Sequence, residues 1–178
     1  LEYLQSQNQN KNSNAIAVLP FSDISPIDKD PTYQNLFPLI LFSAFEPAGT
    51  KMIHPYLSFQ AQFEAKKDPI RSLPDRHSVK RVAKKLKARY VIYGSYQKQS
   101  DYQIRVNIHV FDHQKDKELS PAHSFVANLD DGLLGLAIEE TRQALNKMKV
   151  KSSRYKFHKM PSLLAFRYYV KGMMLAND

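Results

Sequence analysis

The chain has 178 residues, 43% hydrophobic, 11% aromatic and 24% charged, and its 26 Lys and Arg against 17 Asp and Glu leave a net charge of +9. That composition suits one buried globular core. It contains neither a run of about 18 apolar residues able to span a bilayer nor the charged start and apolar stretch of a secretory signal. With no cysteine, a disulfide framework, a thiolate nucleophile and a thiolate-held zinc are excluded.

Opening on Leu1, the chain is expected to be a segment of a longer one or a processed chain. Residues 1–14 read as a flexible linker, because QSQNQNKNSN is polar and buries no apolar area. Residues 15–21, AIAVLPF, are apolar on both alternating sets: Ile16 and Val18 on one side, Ala15, Ala17 and Leu19 on the other. A strand covered on two faces requires that pattern, and Pro20 closes it. SDISPIDKDPT reads as a loop. The apolar segment Tyr33 to Phe45 predicts a helix, with Pro38 tolerated only in its first turn. A short strand follows around Lys51–His54, and residues 56–66 add one or two helical turns.

The clearest helix is Ser78 to Ala88, where Val79, Val82, Ala83 and Leu86 form one apolar stripe. Tyr90–Gln97 and Tyr102–Asp112 predict an antiparallel hairpin around KQSD. In its second strand Ile104, Val106, Ile108 and Val110 face a core, opposite the polar set Gln103, Arg105, Asn107 and His109. Leu119–Leu129 predicts a further strand, broken or placed at an edge by Pro121. Asp130 or Asp131 caps a helix over Leu133–Met148, whose inward stripe is Leu134, Ala137, Ile138, Thr141, Leu145 and Met148. After a basic stretch, Pro161 opens a last helix, expected to lie outside the core because its apolar residues surround most of the helix. The order β-α-β-α-β-β-β-α predicts an α/β domain over 15–150, a mixed five-stranded sheet with helices packed on it, and a C-terminal helical extension over 151–178.

The basic excess concentrates at Arg76, Lys80, Arg81, Lys84, Lys85, Lys87 and Arg89, largely the wet side of the helix over 78–88. Arg76, Lys80, Arg81, Lys84 and Lys87 form the candidate surface for an anionic partner. Nucleic acid or another anionic surface is therefore the alternative to a protein partner. The loop leaving the first strand sits where open α/β sheets take ligands, which makes Phe21, Ser22 and Asp23 the candidate small-ligand residues. Asp23, Asp28 and Asp30 lack the glycine and terminal glutamate of a calcium loop, so capping and turn roles are expected. Of the six histidines, His109 and His113 are the nearest pair, yet four strand residues separate them by about 13 Å. No metal and no cofactor are expected. Neither a serine elbow, a paired-carboxylate motif nor a phosphate-binding glycine loop occurs, so no catalytic residue is assigned. Gly94 reads as a point of close packing or a bulge.

Two stretches carry a family resemblance. IAVLPFSDISPIDKDPTY, Ile16 to Tyr33, resembles the opening of TolB-like N-terminal domains: a strand, an Asp/Ser/Pro-rich loop, and an aromatic entering a helix. AKKLKARYVIYGSYQKQSDYQIRVNIHVFD, Ala83 to Asp112, is similar to the second signature of that family, and GLLGLAIEETRQALNKM matches in place and character. The chain departs from the pattern at Phe37 and Pro38, at HQKDKE, and in its basic charge. The resemblance covers about residues 15–150. It implies a non-catalytic sensory or protein-interaction unit such as occurs in CadC-type membrane transcriptional regulators, adenylate cyclases and receptor-like kinases. It further implies a membrane-anchored parent with this domain on the periplasmic or extracytoplasmic side, a cytoplasmic place being the alternative. The tail Ser162–Asp178, with Tyr168, Tyr169, Gly172 and Leu175, resembles the first helix of a tetratricopeptide repeat.

Overall fold

A computed structural model of the chain describes residues 14–26, 30–46, 50–65, 72–118, 123–130, 132–147, 149 and 161–175. Among these residues the expected α/β architecture is present as a mixed six-stranded sheet with five helices. In chain order the elements are β1 (Ile16–Val18), β2 (Ser22–Asp23), α1 (Thr32–Phe45), α2 (Pro55–Ala65), α3 (Arg76–Leu86), β3 (Tyr90–Lys98), β4 (Gln103–Asp112), β5 (Lys117–Glu118), β6 (His123–Asn128), α4 (Gly132–Lys147) and α5 (Leu163–Leu175). β1 and β2 both run parallel to β3, at Tyr90–Ile92 and Ser95–Tyr96 respectively. β3 and β4 form the expected long antiparallel hairpin, and β5 and β6 pair in turn with the far side of β4.

The strand count differs from the expectation for local reasons. The loop after Pro20 returns to β3 as the two-residue β2, and HQKDKE yields the two-residue β5. The strand expected around Lys51–His54 is a single bridge, Met52 to Ile16. The later strand begins at His123; the expectation for residues 119–122, including Pro121, falls outside the described residues. The helical turns expected at 56–66 are a full helix of 11 residues.

Pro38 is not in a first turn. It lies inside α1, which starts at Thr32. Proline has no N–H for the carbonyl four residues earlier, and here that carbonyl, Gln34 O, accepts the Phe21 N–H at 3.0 Å. The bond that the helix loses ties it to the strand leaving β1.

The two alternating sets of β1 enter different layers. Ile16 and Val18 join α1, α4 and α5 on one face of the sheet, with Ile104, Val106, Ile108 and Val110 of β4. Ala15, Ala17 and Leu19 join α2 and α3 on the other, with Val91 and Tyr93. Gly94 is a point of close packing: a Cβ there would stand 2.1 Å from the Asn107 carbonyl oxygen and 2.4 Å from the Phe21 ring. Asp130 accepts the Gly132 N–H at 2.8 Å at the start of α4, as expected for one of the two aspartates. Along α4 the stripe Leu134, Ala137, Ile138, Thr141 and Leu145 is buried; Met148 falls outside the described residues.

The C-terminal helix corrects an expectation. Leu163, Phe166 and Val170, at i, i+3 and i+7, are buried in the same core cluster as α1 and α4. Ser162 caps α5 by accepting the Ala165 N–H at 3.2 Å. Arg167 lies 3.6 Å from the Asp30 carboxylate and 5.4 Å from the centroid of the Tyr33 ring. The spacing that looked dispersed contains one complete inward stripe, and α1 supplies its partner surface.

Candidate functional site

Phe21, Ser22 and Asp23 stand together where β1 gives way to β2, and all three are buried. Phe21 stacks on Phe37 with ring centroids 4.8 Å apart. The Ser22 hydroxyl donates to Ser72 O at 2.9 Å. Asp23 accepts the Ser25 N–H at 2.8 Å and the Asp30 N–H at 3.1 Å, while Asp30 accepts the Thr32 N–H at 3.0 Å and so leads the chain into α1. These are the turn roles expected of Asp23 and Asp30, whereas the expected capping role is not filled by them, Pro31 being the N-cap of α1 without a side-chain cap; Asp28 lies outside the described residues. Tyr96 donates to Asp30 O at 2.7 Å. Burial, and then the charge of Asp23, pushes its hydroxyl above the ordinary tyrosine range, so it is a neutral donor. Polar groups at this end of the sheet are thus engaged with one another.

The basic residues gather on α3. Asp75 caps the helix, accepting the Ser78 N–H at 2.7 Å, and Lys87 closes it in the left-handed conformation. Val79, Val82, Ala83 and Leu86 are buried as expected. At one flank Arg76 and Lys80 reach Asp116 beyond β4, at 3.1 and 2.7 Å. These two cations hold the exposed Asp116 carboxyl below its ordinary range, the Lys80 hydrogen bond foremost. At the other flank Lys85 pairs with Glu64 of α2. Arg81, Lys84 and Lys87 are exposed, and Arg81 also reaches the Ser78 hydroxyl at 3.4 Å. Arg76 and Lys80 of the candidate anionic-partner surface are therefore engaged inside the molecule.

The histidines fall into separate settings. His109 stacks on Tyr93, centroids 5.0 Å apart, and its Nδ1 lies 2.8 Å from Glu118, which also accepts the Tyr93 hydroxyl at 2.6 Å. His123 Nδ1 lies 3.2 Å from Glu140, with Lys147 Nζ 3.1 Å from Nε2. Among the described residues no group of three or more His, Asp or Glu is arranged to hold a metal ion.

Two exposed aromatic rows remain. On α2, Tyr56, Phe59 and Phe63 are 42%, 36% and 60% exposed. Their i, i+3, i+7 spacing puts them on one stripe, and the Phe59 and Phe63 rings stack 6.5 Å apart. On α5, opposite the buried stripe, Leu164, Tyr168 and Tyr169 are 58%, 66% and 59% exposed. Sequence reasoning noticed the second row and missed the first. The signal for the first was its spacing, which had no meaning until Leu57 and Ala61 were seen to occupy the inner side of α2.

No family model matches the chain, and no curated protein matches it. Among solved structures it is similar to the C-terminal domain of LpoB from Salmonella enterica, with 15% identity, 70% of this chain and 91% of that chain covered, and a TM-score of 0.43. For Escherichia coli LpoB the identity is 12%, the shares 64% and 55%, and the TM-score 0.49. For TolB from Acinetobacter baumannii the identity is 15%, the shares 75% and 28%, and the TM-score 0.43. At such identities and scores the likeness is one of fold outline alone.

Proposed function

We propose that this chain is a non-catalytic protein-interaction domain of a larger regulatory protein, signalling or transcriptional, in which α5 is the first helix of a helical pair. The observation that carries the reading is the second apolar side of α5. One stripe of the helix is buried against α1, yet Leu164, Tyr168 and Tyr169 remain exposed on the opposite side. A helix apolar on two opposed sides is packed by two neighbours, so the occupant of the outer side is another helix. The resemblance of Ile16–Tyr33 and Ala83–Asp112 to TolB-like N-terminal domains supports the same reading, and with it an extracytoplasmic place in a membrane-anchored parent. No helix among the described residues is long and apolar enough to cross a membrane.

The test uses a photo-crosslinking amino acid at Tyr169 of the parent protein in its native cells, with Tyr102, a still more exposed tyrosine on the β3–β4 turn, as control. A discrete adduct to one protein or one segment of the parent from position 169, and none from 102, is expected. No adduct from 169, or the same adduct from both, overturns the reading. Hydrolysis or phosphoryl transfer by the purified chain, abolished by one side-chain change, would overturn its non-catalytic part.

A further inference from the structure

We propose that the outer surface of the α2–α3 layer docks on an anionic phospholipid surface, with Tyr56, Phe59 and Phe63 entering the interfacial region and the α3 cations meeting the headgroups.

Both helices bury their inner stripes on the same face of the sheet, so their outer sides belong to one surface. Lys85 reaches Glu64, about 100° around α2 from Phe63, which sets the cationic side of α3 against the flank of α2 next to the aromatic row. The row has one polar interruption, Gln60, whose side-chain amide donates to the Tyr56 hydroxyl at 3.1 Å. Beyond it on α3, Arg81, Lys84 and Lys85 are exposed. Phe and Tyr rings beside Lys and Arg on an exposed helical surface are the side-chain types that seat amphipathic helices in a headgroup layer, and tyrosine suits a boundary that is apolar on one side and wet on the other.

The size of the row favours a bilayer over a folded partner. Three partly exposed aromatic side chains offer far less than the roughly 800 Å² per partner of a stable protein interface. A bilayer needs no complementary pocket, and it adds the attraction of the surrounding positive charge to a small apolar insertion. The chain supplies that charge, +9 in all.

The test is co-sedimentation of the full chain with phosphatidylcholine vesicles, with and without phosphatidylglycerol as about a quarter of the lipid. Binding to the anionic vesicles alone is expected, falling several-fold when salt is raised from about 0.1 to about 1 M, as surface charge is screened. The double variant Phe59→Ser/Phe63→Ser should weaken it by about tenfold or more, through lost apolar transfer. Lys84→Glu/Lys85→Glu should weaken it by at least about tenfold, through reversed charge near the surface. Val126→Ser, an exposed apolar residue on β6, should leave it unchanged. All three variants alter exposed positions, and an unchanged thermal midpoint shows that they are folded. Three outcomes overturn the proposal: no binding to anionic vesicles, equal binding to neutral ones, or anionic binding that the phenylalanine variant leaves intact. Binding of duplex DNA or polyglutamate that excess anionic vesicles do not displace also overturns it, and assigns the face to nucleic acid or an acidic protein. Tyr169 lies outside this face, so either result stands apart from the crosslinks that test the interaction domain.

Discussion

The two faces of the sheet are built with different side chains. On the face covered by α1, α4 and α5, the core is aromatic and bulky, with Phe21, Tyr33, Phe37, Phe45, Tyr96 and Phe166. Opposite, α2 and α3 pack over a smaller cluster in which Ala15, Ala17, Ala61, Ala83 and Ala88 stand among mostly aliphatic residues, with Tyr93 and Phe111 as its buried aromatics. Small residues let two short helices lie close to the sheet, but they bury less area, and burial scales with stabilisation. The first face therefore holds most of the stability. The second carries Tyr56, Phe59, Phe63 and the α3 cations on its outer side.

Gly94→Val is the most severe way to break this arrangement. The new side chain would meet the Asn107 carbonyl and the Phe21 ring at once; one is backbone and cannot swing away. Loss of cooperative urea unfolding, or no soluble folded protein, is the expected result. Next comes Phe37→Ala, which removes the ring stacked on Phe21 and 6.0 Å from Tyr96. It should cost about 3–5 kcal/mol, whereas Leu57→Ala in the thinner layer should cost about 2 kcal/mol. Equal costs measured by urea titration would show the two faces to be energetically alike.

Deleting 161–178 comes third. It uncovers the pocket of Leu163, Phe166 and Val170 and should lower the thermal midpoint by about 10 °C, from a loss of a few kcal/mol at about 2–4 °C each. Tyr168→Ser/Tyr169→Ser should not move it. A deletion that shifts the midpoint by only a degree or two would return α5 to the status of a loosely attached segment.

A smaller effect is pH-dependent. Burial lowers the pKa of His54, whose Nδ1 accepts the Tyr56 N–H at 3.3 Å and whose ring meets Phe42 edge-on at 5.2 Å. A group depressed in the folded state contributes stability that is complete above the ordinary imidazole value, about 6.5. That contribution is lost as pH falls through the lowered folded value. Between pH 7.5 and 5 the urea midpoint should therefore fall more in the wild type than in His54→Gln. The smallest effect is expected from Lys80→Gln/Lys84→Gln/Lys87→Gln. Exposed charges contribute little, so the midpoint should stay within error, and a clear drop would make the α3 charges part of the fold.

Much of this was legible in the chain itself, because period and type of side chain act locally. The two apolar sets of AIAVLPF dictated a strand buried on both sides, and the structure divides them between the two cores. The stripe on α3, the alternation on β4, the capping aspartates and the close packing at Gly94 followed from the same local physics. What the chain could not show were features made by distant partners. Pro38 is tolerated inside α1 because Phe21, seventeen residues earlier, supplies the missing N–H. α5 joins the core because α1 offers it a surface, although no periodicity in residues 161–178 names that partner. Phe21, Ser22 and Asp23, suggested by their place after a strand, are buried by Phe37, Ser72 and the Asp30 turn, which only folding brings to them. The aromatic row of α2 gained its meaning in the same way: hydrophobic spacing marks a stripe, but which side of a helix faces the sheet is decided by the sheet.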